Sequence, residues 1–459
     1  MSKYDVAIIG SGPGGYVAAV RAAQLGAKVA LIERDQIGGV CLNKGCIPTK
    51  AMIASAHLAN QLKGSSEFGI MLKGEIRIDM EIIQERKRKI VSALQTGVET
   101  LIKGNKIDLL RGTASFKSKD ELLVDGKPVE AKKIIIAVGS TWIDLPNVKV
   151  DEDRIVTTDS ALNWNDIPKR LAIIGGGVVG CEFACMMNSF GSNVTIVEAM
   201  PNVLPMVEKS ISRLLERHMK ANGISIHTAT TLESATVDGN IVKLSLSGNK
   251  SFEADRVLVA IGRKPSTSNL NLEASGVGID SKGFIEIDKG FRTANKDVFA
   301  IGDVVGGCML AHEASAEGTA VVESIFGDDQ VTELGPIPKP IFTDPEIASV
   351  GKTAEELKSD GIAFKTGRFP FAASGKALCD GNIEGQVILH ADEEGKILGV
   401  HIFGGGATSL ISEVTLAMKM GCTAKDLENT VHSHPTLSES VAEAAADVYG
   451  MAIHKLGRK

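Results

Sequence analysis

A glycine pattern that occurs twice constrains the fold of this chain more than any other sequence feature. Residues 4–15 read YDVAIIGSGPGG and residues 171–180 read LAIIGGGVVG, so an apolar run enters Gly-x-Gly-x-x-Gly in both places. Each copy continues into a predicted helix and a second apolar run, which ends at Glu33 in the first copy and at Glu198 in the second. The six glycines of the two patterns are Gly10, Gly12, Gly15, Gly175, Gly177 and Gly180.

The physical need behind the pattern is the same in both copies. The first glycine makes a tight turn, the second lets the backbone approach a pyrophosphate, and the third lets the helix and strand pack closely. The start of the helix attracts phosphate, and the acidic residue accepts hydrogen bonds from ribose hydroxyls. A single glycine triplet would also fit ordinary turns. Two copies in a strand–turn–helix–strand–acid order predict two dinucleotide-binding units of the α/β class.

Further apolar runs complete these units and indicate additional domains. The runs at 134–139 and 257–262 end in Gly139 and Gly262, and each fits the closing strand of one unit. A run at 298–301 enters Gly302-Asp303, and an alanine-rich helix is predicted over 311–323. From about Pro336, predicted strands at 386–391 and 397–403 and helices at 409–420 and 438–449 indicate a separate α+β domain.

Two cysteines follow the first glycine pattern within the segment GGVCLNKGCIPTK at 38–50. In a regular helix, residues five apart have Cα atoms about 8 to 9 Å apart, beyond the roughly 7 Å that a disulfide tolerates. A Cys41–Cys46 disulfide therefore requires a distorted helix start, which Gly45 and Pro48 would favour. Two buried thiols in a glycine-rich loop are the alternative. Because the segment follows a nucleotide motif, we favour a redox-active disulfide.

The segment HSHPTLSE at 432–439 contains a candidate base. Histidine transfers protons near neutral pH, and a nearby carboxylate orients it. Pro435 favours an extended backbone at His434. Alternatively, Thr436-x-x-Glu439 is a capping box that begins the last long helix. His432 is interpreted as a structural histidine.

Composition excludes several other classes of protein. The formal net charge of the 459 residues is −6, and the basic cluster at 85–89 is expected on a solvated helix face, so neither nucleic acid nor a membrane surface is expected as a partner. No run is long enough to span a bilayer, and the N-terminus is not expected to be a signal peptide. Cys181 and Cys185, one helical turn apart, are expected to serve packing. No metal site is expected, because four ligands are not in view.

These motifs together resemble those of the pyridine nucleotide–disulfide oxidoreductase family, class I, over about residues 4–450. The resemblance implies two Rossmann-like dinucleotide-binding domains plus a C-terminal α+β dimerisation domain. It implies these boundaries: 1–145 for FAD binding, 146–266 for NAD binding, 267–336 for a central domain completing the FAD site, and 337–459 for the interface of a homodimer. The triplet Gly175-Gly176-Gly177 is more glycine-rich than most relatives, a departure taken as neutral.

The resemblance also implies roles for individual residues. Glu33 should hold the FAD adenosine ribose and Asp303 the ribityl chain, while Lys50 should pair with Glu182 beside the flavin. Glu198 should favour NAD over NADP. Cofactor-binding positions are also expected at the six motif glycines and at Gly139, Gly262 and Ala311.

The implied reaction is oxidation of a protein-bound dihydrolipoyl dithiol with reduction of NAD⁺. Cys41 should exchange with the substrate, Cys46 should lie against the flavin, and His434, oriented by Glu439, should act as base from the other subunit. The lipoyl group is expected on a separate protein of a 2-oxoacid dehydrogenase or glycine cleavage complex, and the location is expected to be cytoplasmic. There are two alternatives: an NADH-dependent reductase of a different disulfide within the same family, and a non-enzymatic structural or adhesion role for a dinucleotide-binding fold.

Overall fold

The computed structural model describes residues 3–327 and 334–456, and the parts of the predicted domains at 1–2, 328–333 and 457–459 lie outside these ranges. The first third of the chain alternates strands and helices. Its elements are β1 (Tyr4–Ile9), α1 (Pro13–Gln24), β2 (Val29–Glu33), α2 (Gly39–Lys44), α3 (Cys46–Lys63), α4 (Met80–Gly104), β3 (Asp108–Arg111), β4 (Ala114–Ser118), β5 (Glu121–Val124), β6 (Lys127–Val129), β7 (Ala131–Ile136) and β8 (Ser140–Trp142).

The middle of the chain repeats this arrangement. Its elements are β9 (Ile155–Val156), α5 (Thr158–Ala161), β10 (Arg170–Ile174), α6 (Val178–Ser189), β11 (Asn193–Val197), α7 (Lys209–Ala221), β12 (Ser225–His227), β13 (Leu232–Asp238), β14 (Ile241–Leu246), β15 (Lys250–Ala254), β16 (Arg256–Val259) and β17 (Arg263–Pro265). The strands β12-β11-β10-β16-β9 form a parallel sheet, and β13–β15 form an antiparallel meander inserted before β16.

The segment after β17 returns to the first unit. Its elements are α8 (Leu272–Ser275), β18 (Val298–Ala300) and α9 (Ala311–Phe326). The first parallel sheet has the order β18-β7-β1-β2-β3, so the segment predicted as a central domain supplies its edge strand. Helix α9 packs closely on α1, because Gly318 lies against the Gly14 carbonyl. Parallel strands buried on both faces suit the apolar runs of the sequence.

The last third of the chain is built on an antiparallel sheet of order β19-β20-β23-β22-β21. Its elements are β19 (Lys339–Ile341), β20 (Ile347–Gly351), α10 (Ala354–Ser359), β21 (Lys365–Pro370), α11 (Gly375–Cys379), β22 (Gln386–Ala391), β23 (Ile397–Phe403), α12 (Ala407–Lys419), α13 (Ala424–Asn429) and α14 (Glu439–Asp447). Ile347, Ile388 and Phe403 on one sheet face join the core of the second unit, whereas the opposite face packs with α12 and α14. The predicted fold class is confirmed.

Helix α4 corrects one expectation from the sequence. Asp79 caps its start by accepting hydrogen bonds from the backbone of Glu81 and Ile82. The basic cluster at 85–89 is not wholly solvated, because Lys87 is buried and donates to the Leu162 carbonyl. Burial lowers the pKa of Lys87 to about 8. No helix within the described residues is both long and apolar enough to cross a bilayer.

Candidate active site

The first glycine turn leaves β1 and opens toward solvent at one position. Gly10 has a φ of 101°, and a side chain there would collide with the Ala137 carbonyl. A Cβ at Gly15 would collide with the Gly10 carbonyl oxygen, so α1 packs against the turn only because this residue is glycine. At Gly12 no atom of the described residues lies within 4 Å of an added Cβ. This open position beside the start of α1 fits the close approach of a pyrophosphate.

Glu33 is held in place beside this turn. One carboxylate oxygen accepts hydrogen bonds from the Ser11 backbone (2.9 Å) and hydroxyl (2.6 Å), and the other accepts from the Asp35 backbone (2.8 Å). The side chain is buried at the carboxyl edge of the sheet. An acidic residue in this place suits recognition of a ribose.

The second glycine turn repeats this geometry. Gly175 has a φ of 106°, and a side chain on Gly180 would collide with the Gly175 carbonyl oxygen. Gly177 faces open space among the described residues, as Gly12 does. The structure therefore forms a second cradle for phosphate before α6.

The additional glycine of the second turn has a structural reason that the sequence did not reveal. Glu198 accepts hydrogen bonds from the backbone of Gly176 (2.5 Å) and Met200 (2.7 Å). A Cβ on Gly176 would lie 3.0 Å from Val203 Cγ1 and 3.2 Å from Glu198 Oε2. Gly176 thus lets the acidic side chain pack directly on the turn, and the departure taken as neutral affects the site.

Cys41 and Cys46 form a disulfide with a Cα–Cα distance of 4.7 Å. The chain reaches this distance because the helix breaks at Gly45, between α2 and α3, where φ is −141° and ψ is −110°. Thr49 donates a 2.6 Å hydrogen bond from its hydroxyl to the Gly45 carbonyl and so supports the break. The disulfide predicted from the sequence is confirmed, and so is the distorted helix start that it requires.

Helix α3 places a charged pair one turn beyond Cys46. Lys50 Nζ donates to both carboxylate oxygens of Glu182, at 3.0 and 2.7 Å. Glu182 is buried and also accepts from the Phe342 backbone (2.9 Å), while Lys50 lies over the Phe342 ring. This contact connects α3 of the first unit to α6 of the second.

Asp303 lies where β18 ends, and polar residues missed by the sequence analysis surround it. Its carboxylate accepts a short hydrogen bond from the Ser140 hydroxyl, and Arg263 donates to that hydroxyl and to the Ser140 carbonyl, each at 2.7 Å. Gly139 and Gly262, both with positive φ, directly precede β8 and β17, whose antiparallel pairing brings Ser140 and Arg263 together. The two glycines were visible in the sequence, but the pairing of β8 with β17 was not.

Ala311 is the first residue of α9, and Glu317 one and a half turns later is a further group that the sequence analysis missed. Glu317 accepts a hydrogen bond from the Gly302 backbone (2.5 Å). Burial raises the pKa of Glu317 to about 7, and the nearby Glu313 and Asp303 carboxylates add to this effect. A carboxyl group that can hold a proton near neutral pH thus lies beside Asp303.

His434 and Glu439 form the pair expected of a base and its orienting carboxylate. His434 Nδ1 lies 2.9 Å from Glu439 Oε1, and the His434 side chain is 79% exposed. Glu439 Oε2 accepts from the Thr436 backbone (2.8 Å). These two contacts lower the pKa of Glu439, although its partial burial opposes them. A carboxylate next to the imidazole is therefore maintained at neutral pH.

The capping box proposed for this segment is only half formed. Glu439 reaches the Thr436 backbone, but the Thr436 hydroxyl bonds to the Ser433 carbonyl and the Ser438 hydroxyl instead of capping the helix. Helix α14 begins at Glu439 itself, so the spacing that predicted a box belongs to a turn before the helix.

The remaining candidates from the sequence lie apart from the disulfide. His432 is held by Glu413 (2.7 Å) and the Thr430 carbonyl (2.8 Å). Cys181 and Cys185 are free thiols inside α6, and burial raises the pKa of the Cys185 thiol to about 12. Both thiols are buried in a hydrophobic core, as packing residues would be.

Within one chain the structure brings the disulfide, Lys50 and Glu182 together. A cleft of about 780 Å³ adjoins Lys50 and Glu182 and reaches Leu437 of the 432–439 segment. Among the described residues, no hydrogen bond connects His434 or Glu439 to either cysteine of the disulfide. Fold and site together define an oxidoreductase in which two dinucleotide cradles flank a redox-active disulfide.

Comparison with known proteins identifies the family. A family model described as pyridine nucleotide-disulphide oxidoreductase matches residues 4–318, and the dimerisation domain of the same family matches residues 337–445. The chain belongs to this family. Membership implies that it binds FAD and NAD, and the two cradles at 10–15 and 175–180 fit these groups.

Similar proteins extend over the whole chain. It is 42% identical over 464 residues to a dihydrolipoyl dehydrogenase of Thermus scotoductus, with 100% of both chains covered. It is 41% identical over 458 residues to a dihydrolipoyl dehydrogenase of Geobacillus stearothermophilus, covering 98% of this chain and 97% of that protein. The crystal structure of LpdA from Mycobacterium tuberculosis is similar with a TM-score of 0.91 at 26% identity, covering 96% of this chain and 99% of the other.

Proposed function

We propose that this protein is an NAD-dependent dihydrolipoyl dehydrogenase that oxidises protein-bound dihydrolipoamide through the Cys41–Cys46 disulfide. One observation carries the proposal: helix α3 presents the disulfide at its first turn and Lys50 at its second, and Lys50 is bonded to Glu182 of the second dinucleotide unit. Helix α3 thus connects the disulfide directly to the second dinucleotide unit. Relatives with this printed name at about 40% identity over the whole chain support the substrate.

The sulfur steps follow from the two cysteines and the base. His434 removes a proton from the dithiol, and the resulting thiolate attacks Cys41 Sγ. The Cys41–Cys46 bond breaks, a mixed disulfide forms, and Cys46 leaves as a thiolate. The second thiol of the substrate then attacks the first sulfur and passes its proton to the departing Cys41, which releases the lipoyl disulfide and the Cys41 thiol. Cys46 is the first residue of α3, and the partial positive charge at a helix N-terminus stabilises an anion, so this leaving group is stabilised.

The remaining residues bind and orient the cofactors. FAD, when bound, supplies the acceptor for two electrons and returns them as hydride to NAD⁺. Gly12 and Gly177 leave space for the two pyrophosphates, and Asp303 would hold the ribityl chain. The Lys50 ammonium, whose charge Glu182 balances, would interact with the flavin.

His434 acts, in this proposal, from the second subunit of a homodimer. The His434 side chain is 79% exposed, and the C-terminal domain also exposes apolar side chains, such as Val431 at 96% and Leu416 at 62%. Apolar surface of this kind marks an interface. In a C2 dimer each subunit gives its own base to the site of its partner.

Mixing inactive Cys41→Ser chains with inactive His434→Gln chains tests this arrangement. If the site is shared, a mixed dimer contains one site with both lesions and one with neither. Random assortment makes half of the dimers mixed, so refolding the two chains together should restore about a quarter of wild-type activity. Activity that stays near zero, when subunit exchange is verified by two affinity tags, would contradict the shared site.

The proposed partner is the lipoyl-bearing protein of a 2-oxoacid dehydrogenase or glycine cleavage complex, and the proposed location is the cytoplasm. In a reducing cytosol a persistent disulfide usually does chemistry, which agrees with a redox role for Cys41–Cys46.

The activity itself is tested by comparing substrates. We expect dihydrolipoamide with NAD⁺ to exceed glutathione disulfide with NADPH by at least about 100-fold in kcat/KM, because Glu198 occupies the place where a 2′-phosphate would need a cation. Both reactions are followed by nicotinamide absorbance with the same purified holoenzyme. Faster turnover of glutathione disulfide would overturn the assignment in favour of a different disulfide reductase.

A further inference from the structure

Three buried side chains with metal-binding atoms meet where the second unit contacts the antiparallel sheet. They are Glu208, His390 and His401, which are 3%, 0% and 1% exposed. Each offers one ligand atom, and these three atoms lie within 4.8 Å of one another. None of these residues takes part in the reaction proposed above.

The fold fixes the positions of all three. Glu208 immediately precedes α7, and its Oε2 accepts from the Ala354 backbone (2.9 Å) and lies 3.5 Å from His390 Nε2. His390 on β22 and His401 on β23 share the sheet face that meets the second unit, because their alternation matches that of Ile388 and Phe403. Two structural units therefore contribute to one cluster.

Hydrogen bonds on the outer side of each imidazole orient it. His401 Nε2 lies 3.1 Å from the Lys352 carbonyl, which can only accept, so Nε2 carries the hydrogen and Nδ1 carries a lone pair. His401 Nδ1 is buried and has no hydrogen-bond partner among the described residues. His390 Nδ1 lies 3.0 Å from the Thr366 hydroxyl. Histidines that bind a metal typically use their second nitrogen in this way.

The donor atoms of the cluster also suit a cation. Glu208 contributes a carboxylate oxygen, which the Ala354 backbone holds in place. His401 contributes the Nδ1 lone pair, because its hydrogen lies on Nε2 toward the Lys352 carbonyl. A carboxylate oxygen and an imidazole lone pair are donors that bind transition metals.

A second buried polar atom lies on the same face. The Ser349 hydroxyl has no hydrogen-bond partner among the described residues, and Ser349 is paired directly with His401 in the ladder of β20 and β23. Buried polar groups are nearly always hydrogen-bonded, and an exception calls for a water or an ion. Two such atoms on neighbouring residues of one sheet face point to the same cause.

We propose that Glu208, His390 and His401 bind a divalent zinc-class cation that joins the second dinucleotide unit to the antiparallel sheet. A ligand set of two imidazoles and one carboxylate selects zinc in preference to magnesium or calcium. A water molecule bonded to Ser349 would complete a tetrahedral site. The residues are too buried to admit a substrate, so the site is structural and is filled while the chain folds.

Zinc content and thermal stability after refolding test the proposal. The holoenzyme is unfolded with a chelator, refolded with FAD and either zinc or EDTA, dialysed, and measured for zinc by mass spectrometry. We expect about one zinc per chain in the wild type and less than about a tenth in Glu208→Gln and His401→Phe. Thr366→Val keeps all three ligands but removes the contact to His390 Nδ1, so it should weaken zinc binding about 10- to 100-fold.

Two matched variants exclude other zinc sites. His454→Gln removes a histidine that bonds to a single carboxylate, Glu443, and Cys41→Ser removes an active-site thiol. Both should keep one zinc per chain. Zinc should raise the Tm of the wild type and leave that of Glu208→Gln unchanged, with FAD content reporting correct folding. Wild-type protein that holds full FAD but less than a tenth of an equivalent of zinc would overturn the proposal, as would full zinc in Glu208→Gln.

Discussion

The two dinucleotide-binding units have the same architecture but differ in the chemistry that follows the glycine turn. In both units the glycine turn follows a central strand of a parallel sheet, and an antiparallel meander precedes the closing strand. Each unit also contains two cysteines soon after its turn. In the first unit Gly45 breaks the helix and the sulfurs form a disulfide, whereas in the second the thiols stay inside an unbroken, buried α6. Helix continuity and burial decide which pair is reactive.

The two turns differ at one position in a similar way. Ser11 donates its hydroxyl to Glu33, so the first turn accommodates a side chain and uses it. A side chain at the equivalent Gly176 would fit only if Val203 and Glu198 moved by a few tenths of an ångström, because an added Cβ would lie 3.0 to 3.2 Å from them. The same backbone thus holds its acidic residue through a side chain in one unit and through close packing in the other.

The largest effect is expected from the reactive pair. Cys41→Ser and Cys46→Ser should each lower activity at least about 1000-fold, because sulfur exchange needs both thiols. Only the thiolate beside the flavin can donate charge to it. Cys41→Ser should therefore keep a long-wavelength thiolate–flavin absorption band that Cys46→Ser lacks. A band that survives in Cys46→Ser would reverse the assignment of the sulfurs.

A smaller effect is expected from the acidic residues. Glu198→Gln should lower the preference for NAD⁺ over NADP⁺ in kcat/KM about 10- to 100-fold, because it removes the charge that repels a 2′-phosphate. Glu33→Gln, the matched change in the first unit, should leave this ratio unaltered. Steady-state kinetics with both nucleotides measure it. Equal changes in the two variants would show that the units are not specialised as proposed.

Exchanging the residues at the second turn position should have a still smaller effect. Gly176→Ser places a Cβ against Val203 and Glu198, so the KM for NAD⁺ should rise about tenfold while FAD content stays full. Ser11→Gly removes one hydroxyl bond to Glu33, worth about 1 kcal/mol, and should weaken FAD binding about fivefold. Nucleotide titrations separate the two effects. An unchanged KM in Gly176→Ser would contradict the packing argument.

The smallest effect on activity is expected from the buried thiols. Cys185→Ala should keep activity within about twofold at pH 8. The Cys185 thiol has a pKa of about 12 in the folded chain, against an ordinary value near 9. The unfolded state therefore loses this proton first, and stability falls as pH rises above about 9. Cys185→Ala should flatten that fall by about 1 kcal/mol per pH unit in denaturant unfolding. If the free energy of unfolding fell with pH at the same slope in Cys185→Ala and in the wild type, the raised pKa of the Cys185 thiol would be contradicted.

Much of the fold could be predicted from sequence because its signals are local. Glycine turns, apolar strands and terminal acidic residues recur within short segments, and the strands at 386–391 and 397–403 were predicted with the bounds observed. The distorted helix at Gly45 followed from the reach of a disulfide. These inferences needed only neighbouring residues.

The rest depends on contacts between distant segments. Lys50 and Glu182 are 132 residues apart, and their pairing was anticipated only through the family resemblance. Glu208 and His390 are 182 residues apart, and no sequence spacing connects them. A histidine inside each of two apolar strands was the available signal, because a buried imidazole needs partners. The capping box at Thr436 is only half formed because the Thr436 hydroxyl bonds to two competing partners in that turn, the Ser433 carbonyl and the Ser438 hydroxyl.

Helix α3 contacts all three parts of the fold and so fixes their positions relative to the disulfide. At its start it carries Cys46, and one turn later it reaches the second unit through Lys50. Near its end Asn60 donates to Asp344, between β19 and β20 of the antiparallel sheet, and Lys63 donates to the Ser189 carbonyl of the second unit. The two dinucleotide units and the antiparallel sheet domain thus all contact one helix about 27 Å long. Because each part contacts the same helix, a small displacement at one interface is not added to a displacement at another. The position of the Cys46 sulfur relative to each part therefore depends on one contact with α3.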